Sequence, residues 1–181
     1  MALMLNLGCG QKKMYGFTNV DIDESVCPDV VDDVFNLKKF DPNSVYLIYS
    51  CHVLEHCPRK DIEKTLSKWY ELLKKGGTLR LAVPDFGKVC ELYKSGHGEL
   101  EDWLGFIVGG QRDEFDYHKC AFDEWSLRTK LDRLGFHSIR RWDWKTTYPH
   151  NYIDDYSQAY MFPKGDKING VLCSLNMEAT K

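Results

Sequence analysis

The sequence lacks any apolar run approaching the roughly 20 residues of a membrane-spanning helix. Its opening, MALMLNLG, is too short to be expected to act as a signal peptide. A paired-cysteine pattern is missing too: Cys9, Cys27, Cys51, Cys57, Cys90, Cys120 and Cys173 are scattered, odd in number and form no CxxC. That usage suits free thiols in a reducing compartment, so a cytoplasmic setting is expected. There is no Arg-rich or aromatic-interleaved basic stripe, and the formal charge is −3, which gives neither nucleic acid nor a membrane an electrostatic case as partner. Repeats, low-complexity tracts and Pro/Ser-rich linkers are also absent, so the 181 residues read as a single domain, 1–181.

What is present is the composition of a soluble globular chain, with 43% hydrophobic and 28% charged residues. Leu3–Leu7, Thr18–Asp21 and Val30–Val31 read as short strands. Ser44–Ser50 (SVYLIYS) has the near-continuous apolar run of a strand buried on both faces. From about Pro58 to Lys75 the apolar residues Ile62, Leu66, Trp69, Tyr70 and Leu73 share one helical face, with Gly76-Gly77 as the stop. A strand follows over 78–83, then short helices over 86–95 and 99–108. Asp123 is placed to cap a helix carrying Leu127, Leu131 and Leu134 that stops at Gly135. Strands over 137–144 and 170–178 form an expected antiparallel pair. The alternation predicts an α/β fold with a mostly parallel, seven-stranded, Rossmann-like sheet.

In such a sheet ligands bind beyond the carboxyl ends of the strands, where the strand order reverses. Gly8 and Gly10 of LNLGCG follow the first strand, Asp21 ends the second and Asp33 follows the third. Bare backbone, a carboxylate suited to a ribose diol and an acceptor for an adenine amino group make a nucleoside-binding pattern. A nucleotide phosphate would need a helix N-terminus behind the glycines. The loop QKKMYGFT reaches only about 23–27 Å extended, against a strand of about 17 Å to be retraced, so the first crossover helix is expected to be reduced or absent. Lys13 also stands where a dinucleotide fingerprint wants a small residue. A phosphate-free adenosine ligand fits better, and S-adenosylmethionine (SAM) is the common one.

These residues resemble the class I, Rossmann-like SAM-dependent methyltransferases. LNLGCG is similar to the first motif of that family, NVDID to the second, DDVFNL to the third, SVYLIYSCHVLEH to the fourth-strand motif, and ELLKKGGTLRLAVPD to the helix and fifth strand after it. GGQRDEFDYHKCAFDEWSLRTKLDRLGF resembles a compact subgroup found beside sugar and glycan biosynthesis. The resemblance implies SAM as cofactor, with S-adenosylhomocysteine (SAH) as product. It places Gly8 and Gly10 on the methionine part, Asp21 with Ile22 on ribose, Asp33 with Val34 on adenine, and His52 beside the cofactor. Two positions depart from the family: Asn6 replaces its usual acidic residue, and the first crossover is short. The second departure leaves a sheet face to be covered by other helices or by a second copy in a homodimer.

His52-Val-Leu-Glu55-His56 also reads as HxxEH, an inverted zinc-protease signature. Pro58 and the preceding strand interrupt the helix such a site needs, so no metal is expected. His52 instead stands at the mouth of the fourth strand as a substrate contact or base. Gln111, Tyr117 and His118 form a second polar cluster expected to lie over the cofactor edge and bind substrate, with His118 the leading candidate for a general base. The expected activity is methyl transfer to a small polar acceptor, a sugar or other hydroxyl-bearing metabolite. A non-catalytic SAM-binding protein and an NAD-dependent oxidoreductase remain as alternatives.

Overall fold

The structure, a computed structural model, describes residues 2–147 and 155–181. Its main sheet has seven strands: β1 (Leu3–Leu7), β2 (Thr18–Asp21), β3 (Val30–Val31), β4 (Val45–Cys51), β5 (Leu73–Pro84), β6 (His137–Arg141) and, last in the chain, β9 (Ser174–Thr180). They lie in the order β3-β2-β1-β4-β5-β9-β6. The first five are parallel, with Leu7 opposite Val20 on one side and Ser50 on the other; β9 runs antiparallel to both β5 and β6. The expected architecture is therefore the observed one. The chain steps outward from β1 to β3 and then returns to the other side of β1, so the order reverses between β1 and β4.

Four helices complete the fold: α1 (Ile62–Leu72), α2 (Phe86–Lys94), α3 (Leu100–Val108) and α4 (Glu124–Arg133). α1 buries Ile62, Thr65, Leu66, Trp69 and Leu72, the spacing of a single face, and the Trp69 indole donates to the Val34 carbonyl at 2.8 Å. Asp123 caps α4 as expected, its carboxylate accepting from the Ser126 N–H at 2.7 Å. Leu127 and Leu131 of that helix join a core with Leu5, Leu7, Ile48 and Leu79 from the sheet.

Three boundaries differ from expectation. The helix expected to reach Lys75 ends at Leu72, because Leu73 is already extended and paired with Val45. Gly76 and Gly77 then pair their backbones with Lys181, the last residue. The strand expected over 170–178 breaks at Cys173, whose N–H donates to the Ala159 carbonyl at 2.8 Å. Residues before the break, Val171–Leu172 (β8), pair instead with Tyr160–Met161 (β7) in a separate two-stranded ribbon. The strand expected to reach residue 144 ends at Arg141 so that Trp142 can turn inward, its indole donating to the Leu81 carbonyl at 3.1 Å.

No helix lies between β1 and β2, and the loop itself covers the exposed face. Met14 and Phe17 pack there with Leu47 and Tyr49 of β4, Ala82 of β5 and Trp142. Burial of each side chain contributes about 1.5–3 kcal/mol. Asn6 holds this loop in place. Its amide donates to the Asn19 side-chain oxygen at 2.9 Å and to the Lys12 carbonyl at 3.0 Å. The same Asn19 oxygen accepts from the Met14 N–H at 2.7 Å, which fixes its orientation and leaves Asn6 only the donor's role. A carboxylate at position 6 has no hydrogen to give. The asparagine at position 6 and the helix-free crossover thus have one explanation.

Candidate functional site

A cavity of about 510 Å³ opens at the carboxyl ends of β1, β2, β3 and β4, where the strand order reverses. Gly8, Asp21, Ile22, Asp33, Val34 and His52 all line it, alongside Val53, His56, Phe115 and Lys119. Gly10 stands just behind, its N–H donating to Asp21 Oδ2 at 2.8 Å. The other oxygen of Asp21 accepts from the Asp23 N–H at 3.0 Å. That carboxylate organises the glycine loop before any ligand arrives, and each oxygen keeps a further lone pair for a hydroxyl donor. Both glycines are left-handed, with φ of +61° and +46°. A Cβ on Gly8 would fall 2.4 Å from Val53 Cγ2, whereas one on Gly10 would meet nothing within 4 Å. The first glycine is thus demanded by packing, and the second leaves its backbone facing open space. Asp33 closes the turn after β3, accepting from the Phe35 N–H at 2.9 Å and from the Asn36 amide.

At the end of β4 the chain turns through His52, at φ +51°. Its ring stacks on Tyr156 at 5.3 Å between centroids, and Nε2 lies 3.1 Å from Ser174 Oγ. The tautomer is fixed through a chain of partners. The Asn176 amide donates to the Ser157 carbonyl, so its oxygen accepts the Ser174 hydroxyl at 2.9 Å, so Ser174 accepts from His52 Nε2–H. The bare Nδ1 then faces Glu55 Oε1 at 3.4 Å. His118 approaches the same oxygen from the other side, with Nε2 4.0 Å away and Nδ1–H donating to the Phe106 carbonyl at 3.1 Å.

Glu55 is 1% exposed, and neither of its oxygens has a hydrogen-bond partner. Burial pushes its pKa up to about 8. Burial also pulls His52 down, to about 3, helped by the charges that His118 and His56 would carry. His56 and His118 are lowered for the same first reason. These directions are opposite to those of an ion pair: at neutral pH the acid keeps its proton and the rings are neutral. The cluster is a set of imidazole lone pairs around an uncharged carboxyl.

Not every expected residue reaches this place. Gln111 is exposed at φ +55°, its amide on the Val108 carbonyl, and Tyr117 contributes to the site only through its carbonyl, which accepts from His56 Nδ1 at 3.1 Å. Phe115 and Lys119, on either side of Tyr117 in the same loop, line the cavity instead. His52 and His56 do not share a helix: a short 3₁₀ turn, Leu54–His56, follows β4. The HxxEH spacing therefore lacks the helical face of an inverted zinc protease. Glu55, which joins His52 to His118, stands out in the sequence as the acid of the HxxEH spacing and not as a link between those two histidines.

Residues 5–81 match the family model of a methyltransferase domain. No curated protein matches the sequence. Among solved structures, a SAM-dependent methyltransferase from Methanosarcina mazei superposes with a TM-score of 0.61 at 18% identity, over 98% of this chain and 91% of that one. A Haloferax volcanii complex of the Trm112 methyltransferase activator with a putative methyltransferase gives 0.62 at 16%, over 99% and 82%. A SAM-dependent methyltransferase from Archaeoglobus fulgidus gives 0.59 at 15%, over 99% and 86%. At these identities the likeness is one of fold. Residues 5–81, whose strands carry the glycine loop and the two acids, are thus similar to a methyltransferase domain, within a Rossmann-like α/β fold that the chain shares with these structures.

Proposed function

We propose that the cavity beyond β1 to β4 binds SAM and that the chain transfers its methyl group to a small, hydroxyl-bearing acceptor, a sugar among the candidates. The observation that carries this reading is the lining itself: left-handed Gly8, Asp21 and Asp33 at three successive strand ends of one cavity. Its volume of about 510 Å³ falls within the range of small-molecule sites. Gly8 and Gly10 take the methionine part, Asp21 with Ile22 the ribose, and Asp33 with Val34 the adenine. The absence of a helix between β1 and β2 speaks against a diphosphate, and with it against a nicotinamide-dependent oxidoreductase. With Met14 and Phe17 over the open sheet face, one chain suffices as the working unit. The seven unpaired cysteines support a reducing, cytoplasmic setting.

SAM, when bound, supplies a methyl carbon activated by its sulfonium, and the protein has to align an acceptor with it and keep water away. Such alignment contributes on the order of 7–11 kcal/mol in favourable systems. His52 lines the cavity at the methyl end and holds the acceptor. His118, whose Nε2 is bare, takes the hydroxyl proton. At a pKa of about 3, His52 is too weak a base for that step and is better suited to a hydrogen bond. Gln111 and Tyr117 are assigned to the acceptor through their loop alone, which carries Phe115 at the cavity wall. Calorimetric titration with SAH and NAD in parallel tests the reading: SAH binds with one-to-one stoichiometry and NAD does not. Binding of NAD alone would reverse it.

A further inference from the structure

Glu55 poses a problem that methyl transfer does not answer. Burying a carboxyl group with no hydrogen-bond partner is unfavourable by several kcal/mol, and a leucine in its place would fill the same space without that penalty. The histidines around it are arranged in an equally specific way. His118 and His56 each donate Nδ1–H to a backbone carbonyl, of Phe106 and of Tyr117, both at 3.1 Å. A carbonyl only accepts, so both rings are held in the tautomer that leaves Nε2 bare. Their ring centroids are 4.9 Å apart. Ligand atoms of Glu55, His56 and His118 all lie within 4.8 Å of one another.

We propose that Glu55, His56 and His118 form a binding site for a divalent transition-metal ion of the zinc class, at the end of the cavity. Two neutral imidazoles and one carboxylate are the donor set of open zinc sites, in which a fourth position is left for water or substrate. Histidine ligands to metals almost always donate their second N–H to a carbonyl or carboxylate, which fixes the ring, and both histidines here do so. Binding displaces the carboxyl proton to solvent, and the charge of the ion balances the carboxylate that is left. Tetrahedral ligation at about 2.0–2.2 Å brings donor atoms to about 3.3–3.6 Å of each other, so from a spread of 4.8 Å the cluster closes by at most about 1.2–1.5 Å, and by about 0.4–0.7 Å between Glu55 and His118, 4.0 Å apart. His56 lines the cavity, so the open position is reachable from it.

The site does not depend on SAM, although it shares His118 with the role assigned above. An ion on Nε2 would occupy the lone pair that His118 otherwise offers to the acceptor's proton, so metal binding and that base role exclude each other. The test is titration of the full chain, stripped of metal by a chelator that is then removed, with Zn²⁺ by calorimetry and with Co²⁺ by absorption spectroscopy. Wild type binds one ion, and cobalt shows tetrahedral d–d bands without a thiolate charge-transfer band. His56→Ala, His118→Ala and Glu55→Gln each weaken binding more than about 100-fold, beyond the 10–100-fold expected for loss of an outer partner. His97→Ala and His137→Ala, outside the cluster, bind as wild type does. Glu55→Gln keeps the shape of the buried acid, so it reports even if a histidine variant fails to fold. Zinc affinity unchanged in these variants, or a thiolate band from the seven cysteines, overturns the proposal. SAH binding measured on the same metal-free protein reports separately on the methyltransferase reading.

Discussion

Alanine at Gly8 and alanine at Gly10 separate two reasons for having glycine in one loop. Both positions are left-handed, at φ +61° and +46°, so each alanine carries a backbone penalty of about 1–2 kcal/mol. Only at Gly8 does the new methyl collide, 2.4 Å from one methyl of Val53 and 3.2 Å from the other. Val53 is β-branched and 7% exposed, so it has little rotamer freedom with which to yield. Overpacking of this kind adds about 1–3 kcal/mol. Gly8→Ala is therefore expected to lose about 2–5 kcal/mol, and at about 2–4 °C per kcal/mol for a chain of this size its melting temperature falls by about 4–20 °C. Gly10→Ala loses about 2–8 °C. Ligand binding follows the opposite order. Gly10→Ala puts a methyl group into the open space beside the glycine loop and, on the proposed placement of the cofactor, weakens SAH more than its small stability loss suggests. The assay is thermal unfolding of both variants with and without saturating SAH. Equal losses of melting temperature refute the steric account, as does the absence of coupling between Gly8→Ala and Val53→Ala in a double-mutant cycle.

Asp21→Ala removes the carboxylate proposed to hold the ribose, each hydrogen bond to a charged group contributing about 1.5–3 kcal/mol; SAH affinity falls by about 100-fold or more, and unchanged affinity by calorimetry refutes the assignment. Asn6→Asp introduces the acid usual in the family the sequence resembles, yet it leaves the Lys12 carbonyl without that donor and sets a carboxylate against the Asn19 oxygen, which keeps only the Met14 N–H. It is expected to destabilise by about 2–4 kcal/mol in chemical denaturation, and a neutral outcome would detach Asn6 from the loop. Burial raises Glu178, but hydrogen bonds from Arg140 and Arg80 more than offset that, so its folded pKa lies below the ordinary 4.5. A lowered carboxyl contributes stability that is present above 4.5 and lost as pH falls through the folded value. Glu178→Gln therefore destabilises by about 2 kcal/mol at pH 7, with a gap that narrows below pH 4.5. A gap of constant size across that range refutes the linkage.

The sheet was legible because its strands are short, apolar and punctuated. Leu3–Leu7, Thr18–Asp21 and Val30–Val31 fall where alternation and turn residues place them, and the lack of a first crossover helix follows from the length of the chain available. What covers the face was not legible, because Met14 and Phe17 belong to a loop with no periodicity and meet Trp142 from more than a hundred residues away. That Gly8, Asp21 and Asp33 meet at one cavity was readable for a related reason: each ends or follows a strand, and parallel strands bring their ends together. The contribution of the loop beyond α3 was not. His118, Phe115 and Lys119 come from one long loop whose path depends on backbone contacts, among them the Lys119 N–H on the Glu55 carbonyl at 2.8 Å and the His118 N–H on that of Val108 at 3.1 Å. Residue type told His118 from its neighbours, but no spacing rule tells which loop residues face inward.

Among the described residues, the buried side-chain polar atoms without a hydrogen-bond partner are Ser50 Oγ and the two oxygens of Glu55. They lie within six positions of one another, at the carboxyl end of β4 and the turn beyond it. His52, between them, is left-handed without being glycine. Left-handed backbone at Cys27, Leu37, Asn43, Gln111, Ser138 and Phe162 is not joined to unpartnered buried groups. The far end of the same sheet shows the contrast: Glu178 is also buried and acidic, but two arginines satisfy it. A fold that pairs its buried charges at one place is able to do so at another. Strain and unmet hydrogen bonding concentrated in one turn, at the point where the strand order reverses, are therefore what a protein keeps for a ligand rather than for its own stability.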